Sequence, residues 1–261
     1  MKILKSAETL SLYLILFFLL LIFSCTEKMD VQLGDHKTNL VIEAEVSDSD
    51  SAYAMFYLSQ PFNSNTNPVV VIPDTVLITD DKGNRFDLKP NALNIYKADV
   101  LGKEGTTYYL KVVYNGKEYT SQSTMPQKVS IDSAYSWQFF GTQSNERVLA
   151  IRIQDPANQK NFYRYFSSLS KYKYVFEDKL INGSRFSLNA GRDLVKVGDT
   201  TTITLLNIDK NNFEYWNVLI QNGTLSNNQS AAPADPRSNI QGGAYGYFSA
   251  HSVSKQTFVV K

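Results

Sequence analysis

The residues with the clearest chemical logic stand near the start of the chain. Leu21-Ile22-Phe23-Ser24-Cys25 puts an aliphatic residue three positions before a cysteine and a small residue directly before it. That order suits alkylation of the thiol by diacylglycerol, cleavage ahead of Cys25 and acylation of the freed amine. Two or three acyl chains then hold a protein where one chain binds only marginally. The preceding residues fit the same chemistry: Lys2 and Lys5 lead into the apolar run Leu10 to Phe23, the anatomy of a secretory signal. The run is shorter than the ~20 apolar residues of a spanning helix. Residues 1–24 are expected to be a lipoprotein signal peptide, Cys25 the lipidation site and 25–38 a lipidated tether. Cys25 is the only cysteine. On an exported chain that fits lipidation better than an idle thiol, and it leaves no disulfide to stabilise the fold.

Other chemistry is poorly provided for. A zinc site needs three or four ligands, and the two histidines, His36 and His251, read as solvated surface residues. A serine hydrolase needs a base for its nucleophile, and no Gly-x-Ser-x-Gly elbow is present. A glycosidase needs only two carboxylates, but nothing marks one Asp or Glu pair as a couple. No glycine-rich phosphate loop joins a strand to a helix. Asp48 with Asp50, and Asp80 with Asp81, supply too few oxygens for calcium and read as turn chemistry. The expectation is a protein that is not an enzyme, with no catalytic residues, metal or cofactor. Losing Lys2, Lys5 and Glu8 with the signal leaves 24 basic against 24 acidic residues. A chain so balanced offers no field for nucleic acid.

The elements that would carry any site are mainly strands. Leu40–Val46, Ala52–Ser59, Val69–Ile72, Thr75–Thr79, Arg85–Leu88, Thr107–Tyr114 and Lys117–Ser123 are β-rich runs. Asn115-Gly116 between the last two is a strong hairpin signal. Seven such runs without a helical pattern predict an immunoglobulin-like β-sandwich over 39–126. Met125-Pro126-Gln127 is a seam, and 127–261 is expected to be a second antiparallel β domain. Its strands are Ile131–Phe140, Arg147–Gln154, a run from Phe162, Tyr174–Leu180, Arg185–Leu188 and Thr200–Leu206, with Tyr245–Ser249 and Ser252–Val260 closing it. One short helix is predicted at 209–222. Asp209 caps it, Phe213, Trp216 and Ile220 fall on one face, and Gly223 ends it. That stripe reads as core packing against a sheet. Tyr and Phe number 16 and 15. In alternating strands one face of them must be core, and the other is free to bind sugars, peptides or protein.

Taken in order, several short blocks resemble the domain of unknown function 4249 family, lipoproteins of Bacteroidota. They are Asn39-Leu40-Val41-Ile42-Glu43-Ala44, Thr79-Asp80-Asp81-Lys82-Gly83-Asn84 and Tyr114-Asn115-Gly116-Lys117-Glu118-Tyr119-Thr120. Ser123-Thr124-Met125-Pro126 with Ile131-Asp132-Ser133, Asp155-Pro156 and Asn161-Phe162-Tyr163-Arg164 follow. Ser238-Asn239-Ile240-Gln241-Gly242-Gly243 and Gly246-Tyr247-Phe248-Ser249-Ala250 complete the series. The resemblance covers nearly all of the chain after Cys25. It implies an outer-membrane lipoprotein, often encoded beside TonB-dependent transporters, and implies no activity.

The expected function is that of an outer-membrane lipoprotein. It is held in the bilayer through acylated Cys25 and serves as a non-enzymatic accessory or binding subunit of a β-barrel, TonB-dependent-type transport complex. Thr26, where inner-membrane retention would call for aspartate, favours the outer membrane. Glu27 to Asp30 leaves surface or periplasmic display open. The alternative is a surface glycan- or protein-binding, adhesin-like module.

Overall fold

Strand formation in this chain follows the two-residue alternation of its apolar side chains. The computed structural model describes residues 38–61, 64, 66–91, 95–157, 159–179, 182–225 and 235–261. The expected signal peptide, the expected lipidation site Cys25, the expected tether up to residue 37, and His36 lie outside them. Among the described residues, fifteen strands follow in chain order. They are β1 (Leu40–Ser47), β2 (Ala52–Leu58), β3 (Thr75–Asp80), β4 (Arg85–Asp87), β5 (Lys89–Asn91), β6 (Ile95–Ala98), β7 (Thr107–Tyr114) and β8 (Lys117–Thr124). Then come β9 (Ile131–Trp137), β10 (Glu146–Gln154), β11 (Phe162–Ser167), β12 (Tyr174–Glu177), β13 (Arg185–Lys196), β14 (Thr200–Ile208) and β15 (Tyr245–Val259). One helix, α1 (Lys210–Leu225), separates β14 from β15. The chain is mainly β, as the alternation predicts.

The sheets run β4-β3-β7-β8, β13-β10-β9 and the eight-stranded β12-β11-β14-β15-β1-β2-β6-β5. The four-stranded sheet shares a core with β1, β2, β6 and the first half of β15, through Ile42, Phe56, Ile78, Leu110 and Phe248. The three-stranded sheet shares another with β14, β11 and the end of β15, through Leu149, Ile151, Tyr163, Ile203 and Leu205. Both cores are sandwich-like.

The two cores do not divide cleanly at Met125–Gln127. Ile240, Ala244, Phe248 and Ala250, late in the chain, pack in the first core. β15 explains this. It pairs in parallel with β1 from Tyr245 to His251, then antiparallel with β14 from Ser252 to Val259. The two closing strands expected on either side of Ala250-His251 are one strand that changes partner there. The expectation of a break failed because the small polar residues Ser249 and Ser252 imitate a turn. In the structure they are buried between the halves.

Where β15 lacks a backbone partner, side chains replace it, as buried amides and carbonyls require. The Phe248 amide donates to Asn239 Oδ1 (2.9 Å), and Asn239 Nδ2 donates to the Phe248 carbonyl (2.8 Å). The Ala250 amide donates to Ser123 Oγ on β8 (2.8 Å). The Val253 amide donates to Asp48 Oδ1 (2.8 Å).

Local turn chemistry holds elsewhere. Asn115 and Gly116 take φ of 49° and 71°, as the β7–β8 hairpin demands. Asp80 Oδ1 accepts the amides of Lys82 (3.0 Å) and Asn84 (2.8 Å), a turn rather than a cation site. Val69–Ile72 is not a strand beyond one bridge from Val70 to Tyr57. Pro68 and Pro73 bracket it and remove the amide donors a ladder needs. β5 and β6 carried no usable sequence signal, being three and four residues long, one of them with Pro90 in its middle.

Candidate functional site

The helix begins where predicted. Asp209 Oδ1 accepts the Asn212 amide (2.9 Å), the geometry of an N-cap. The other Asp209 oxygen accepts from Ser123 Oγ, and Asn212 Nδ2 donates to the Phe248 carbonyl (2.9 Å). Cap and first turn thus pin α1 to both β8 and β15. It runs on to Leu225, past the expected end at 222.

From there α1 lies on the back of the eight-stranded sheet, on the face turned away from both cores. Phe213 packs on Phe162 beside Leu206, Ile208 and Val253, as the apolar stripe predicts. Trp216 does something else: its ring lies 5.2 Å from that of Tyr247 and 3.5 Å from the guanidinium carbon of Arg164. Lys173 Nζ stands 5.3 Å from the same ring. Alternation along β11 puts Phe162, Arg164 and Phe166 on this face, and alternation along β1 puts Glu43 and Glu45 there.

The charges are held by tyrosines. Tyr247 Oη donates to Glu45 Oε1 (2.7 Å), and Tyr57 Oη donates to Glu43 Oε1 (2.6 Å). His251 Nε2 lies 3.8 Å from Glu45 Oε2, and its Nδ1 lies 3.1 Å from Ser249 Oγ. Burial presses the Glu45 carboxyl upward, yet it ends below its ordinary range. His251, the Tyr247 hydroxyl, Arg164 and Tyr53 all favour the charged form. Burial pushes the hydroxyls of Tyr53, Tyr57 and Tyr247 upward, and that of Tyr215 up to about 12, so all four stay donors at neutral pH.

His251 corrects the expectation of a solvated surface residue. It is 3% exposed, at the point where β15 changes partner. Burial pushes its imidazole below the ordinary range. Glu45, Asp48 and Asp209 oppose that push, and Arg164 adds to it. The folded chain therefore resists a proton that the unfolded chain accepts below pH ~6.5. The corresponding stability is present above that pH and falls as pH drops toward the folded value. Thermal melts from pH 7 to pH 5 are expected to show a falling Tm, and His251→Gln should flatten that decline. An equal decline in the variant would assign it to other groups.

A second surface lies at the end of the molecule where β15 finishes. Ser136 Oγ, Arg147 Nε and the Lys261 carbonyl meet there (3.1 and 2.8 Å). The Gly198 amide reaches the Val260 carbonyl at 2.9 Å, and the Ser168 amide reaches the Thr202 carbonyl at 2.9 Å. The β9–β10, β11–β12 and β13–β14 loops thus share one end. They carry Phe139, Phe140, Leu169, Tyr172 and Val197, all exposed, with Phe140 97% open. Trp137 stacks edge-on to Phe139 (5.5 Å). By contrast, Tyr163, Tyr165, Tyr174 and Phe176 pack at the second core, with Tyr163 stacked on Phe176 (4.7 Å) and Tyr165 on Tyr174 (5.0 Å).

A third feature is a polar cleft of about 260 Å³ beside the start of α1, lined by Gln122, Asn211, Glu214, Arg237 and Gln241 among others. Among the described residues, no three His, Cys, Asp or Glu side chains gather as for a metal. Among them, no helix is long and apolar enough to cross a membrane.

The family profile for the domain of unknown function DUF4249 matches residues 26–257. The chain belongs to the DUF4249 family. No curated protein matches this DUF4249 chain. Among solved structures it is similar to a two-domain fibronectin type-III segment of chicken tenascin. That pair shares 15% identity with a TM-score of 0.22, covering 65% of this chain and 90% of that one. It is also similar to the chicken interferon gamma receptor alpha chain, at 8% identity and a TM-score of 0.19, covering 66% and 89%. Overlaps this loose add nothing to the strand pairing described above.

Most residues in the DUF4249 blocks have structural work. Asp155 accepts the Gly183 amide (3.0 Å) and the Tyr163 hydroxyl (2.5 Å). The Asn161 amide donates to Asp178 Oδ2 (2.8 Å). Phe162 packs under α1. Arg164 is the exception in its block: it is buried, and its Nε has no partner. Sequence reading missed it, although an arginine between Phe162 and Phe166 on one strand face was a visible signal.

Proposed function

We propose that this DUF4249 protein is a non-enzymatic lipoprotein, tethered to the outer membrane through Cys25, that serves as a binding subunit of a β-barrel transport complex. The observation that supports this best is the loop end bearing Trp137, Phe139, Phe140, Leu169, Tyr172 and Val197. Aromatic and aliphatic residues clustered and exposed on three adjacent loops are the composition of a protein interface core.

A second reading, a glycan-binding module, is supported by the cleft of Gln122, Asn211, Arg237 and Gln241, whose amides and guanidinium suit hydroxyl-rich ligands. One experiment separates the two. Detergent-solubilised membranes are expected to yield the protein together with a barrel partner. Phe139→Ser combined with Phe140→Ser should reduce the co-purified barrel at least ~10-fold, as loss of interface anchors does, with an unchanged Tm. Recovery of the intact protein alone, with glycan-array binding, would support the second reading and sink the first.

A further inference from the structure

We infer that Arg164 and Lys173, both set against the ring of Trp216, form a site for an anionic group: a carboxylate or phosphate carried by a ligand. Arg164 is 6% exposed, and its Nε is buried without a hydrogen-bond partner. Among the described residues it makes no ion pair; its contacts are the rings of Trp216 (3.5 Å) and Phe166 (5.7 Å). A buried guanidinium is ordinarily paired, because its desolvation costs several kcal/mol per ion.

The acids on the same face are already engaged. Glu45 accepts from Tyr247 and faces His251, and Glu43 accepts from Tyr57. They supply field but no direct contact to the guanidinium. Lys173 is a second cation without a described carboxylate partner, and partial desolvation, with Arg164 nearby, holds its ammonium below the ordinary lysine range. Two cations held against one indole ring repel one another and are stabilised by an anion that both can reach.

The chemistry of recognition follows. The guanidinium offers a planar fork that matches a carboxylate or phosphate edge. Lys173, exposed at the rim, draws the anion in as a point charge. Tyr215, whose ring lies 5.7 Å from that of Trp216, borders the site with a hydroxyl that stays protonated. Arg164 and Trp216 lie on the back of the long sheet, while Lys173 directly follows Tyr172 of the aromatic loop end. Phe139→Ser with Phe140→Ser alters none of these three residues, so loss of barrel binding in that variant is read apart from anion binding.

Trp216 reports on the site directly. The chain has two tryptophans, so Trp137→Phe leaves Trp216 as the only emitter. The full-length protein in detergent is titrated in that background with sodium citrate and, separately, sodium phosphate, at ionic strength held constant with sodium chloride. A saturable change in Trp216 emission is expected, with a Kd on the order of 1 mM or tighter. Citrate and phosphate midpoints then distinguish a carboxylate from a phosphate ligand. Lys173→Gln, an exposed change, should weaken binding several-fold. Arg164→Lys, which keeps the charge and loses the fork, should weaken it ~10-fold. No saturable change with either anion, or the same change in both variants, overturns the proposal.

Discussion

Gly246→Ala is expected to destabilise the protein by on the order of 4 kcal/mol, much of the ~5–15 kcal/mol that holds a domain folded. Gly246 is paired with Ile42 in the parallel register of β1 and β15. Its φ is +102°, and a Cβ there would sit 2.0 Å from the Ile42 carbonyl oxygen. No side-chain rotation relieves that clash, because the obstructing atom is backbone. Backbone strain at such a φ costs about 1–3 kcal/mol for a residue with a Cβ. Separating the strands to make room adds the rest. The damage reaches both cores, since β15 carries Phe248 into one and Val260 follows it into the other. Urea unfolding followed by far-ultraviolet dichroism measures the effect. Gly105→Ala is the control, because that glycine also has positive φ but nothing within 4 Å of a Cβ. The control should lose no more than ~1–2 kcal/mol. Equal losses in the two variants would mean that φ alone, and not the close approach to Ile42, sets the cost.

Cys25→Ser is expected to abolish lipid attachment. The thioether requires the thiolate as nucleophile, and serine offers no equivalent at neutral pH. Without that step the cleavage ahead of residue 25 and the acylation of its amine do not follow. Labelled palmitate incorporation should fall to background, and the processed form should vanish from washed membranes. The effect is close to all-or-none. A single acyl chain gives binding of only about 10⁴ M⁻¹, and stable anchoring takes more than one. Unchanged palmitate labelling and unchanged membrane retention would remove the basis for the anchor. The barrel-binding proposal would then require a different route to the membrane.

Much of the local architecture was readable from the residues. Alternation along Leu40–Val46, the Asn115-Gly116 turn and the Asp209 cap each draw on interactions within a few positions of the chain, and each stands where expected. The family blocks were also readable, and the structure explains several of them. Asp155 and Asn161 hold a buried turn, and Asn239 replaces a missing strand partner for Phe248.

The candidate sites were legible only in part. Exposure at Phe139 and Phe140 was hidden because both were expected inside a strand Ile131–Phe140, whereas β9 stops at Trp137 and leaves them in a loop. His251 looked solvated because its neighbours are small and polar. Glu45 reaches it only through the pairing of β1 with β15, more than 200 positions apart in sequence. Lys173 and Trp216 lie 43 positions apart and meet over one ring only because α1 folds back onto β11 and β12.

By itself the sequence determined the lone cysteine, a mainly β chain, the capped helix at 209 and the family to which the chain belongs. Those follow from composition and short-range spacing, where backbone preference and turn chemistry act. Only the tertiary structure decided that the closing segment is a single strand shared by two sandwiches, and that Arg164 is buried against Trp216 with no ion-pair partner among the described residues. Both depend on which distant strands pair and which sheet face a helix covers. Such choices are made by burial summed over the whole fold, which no local pattern encodes.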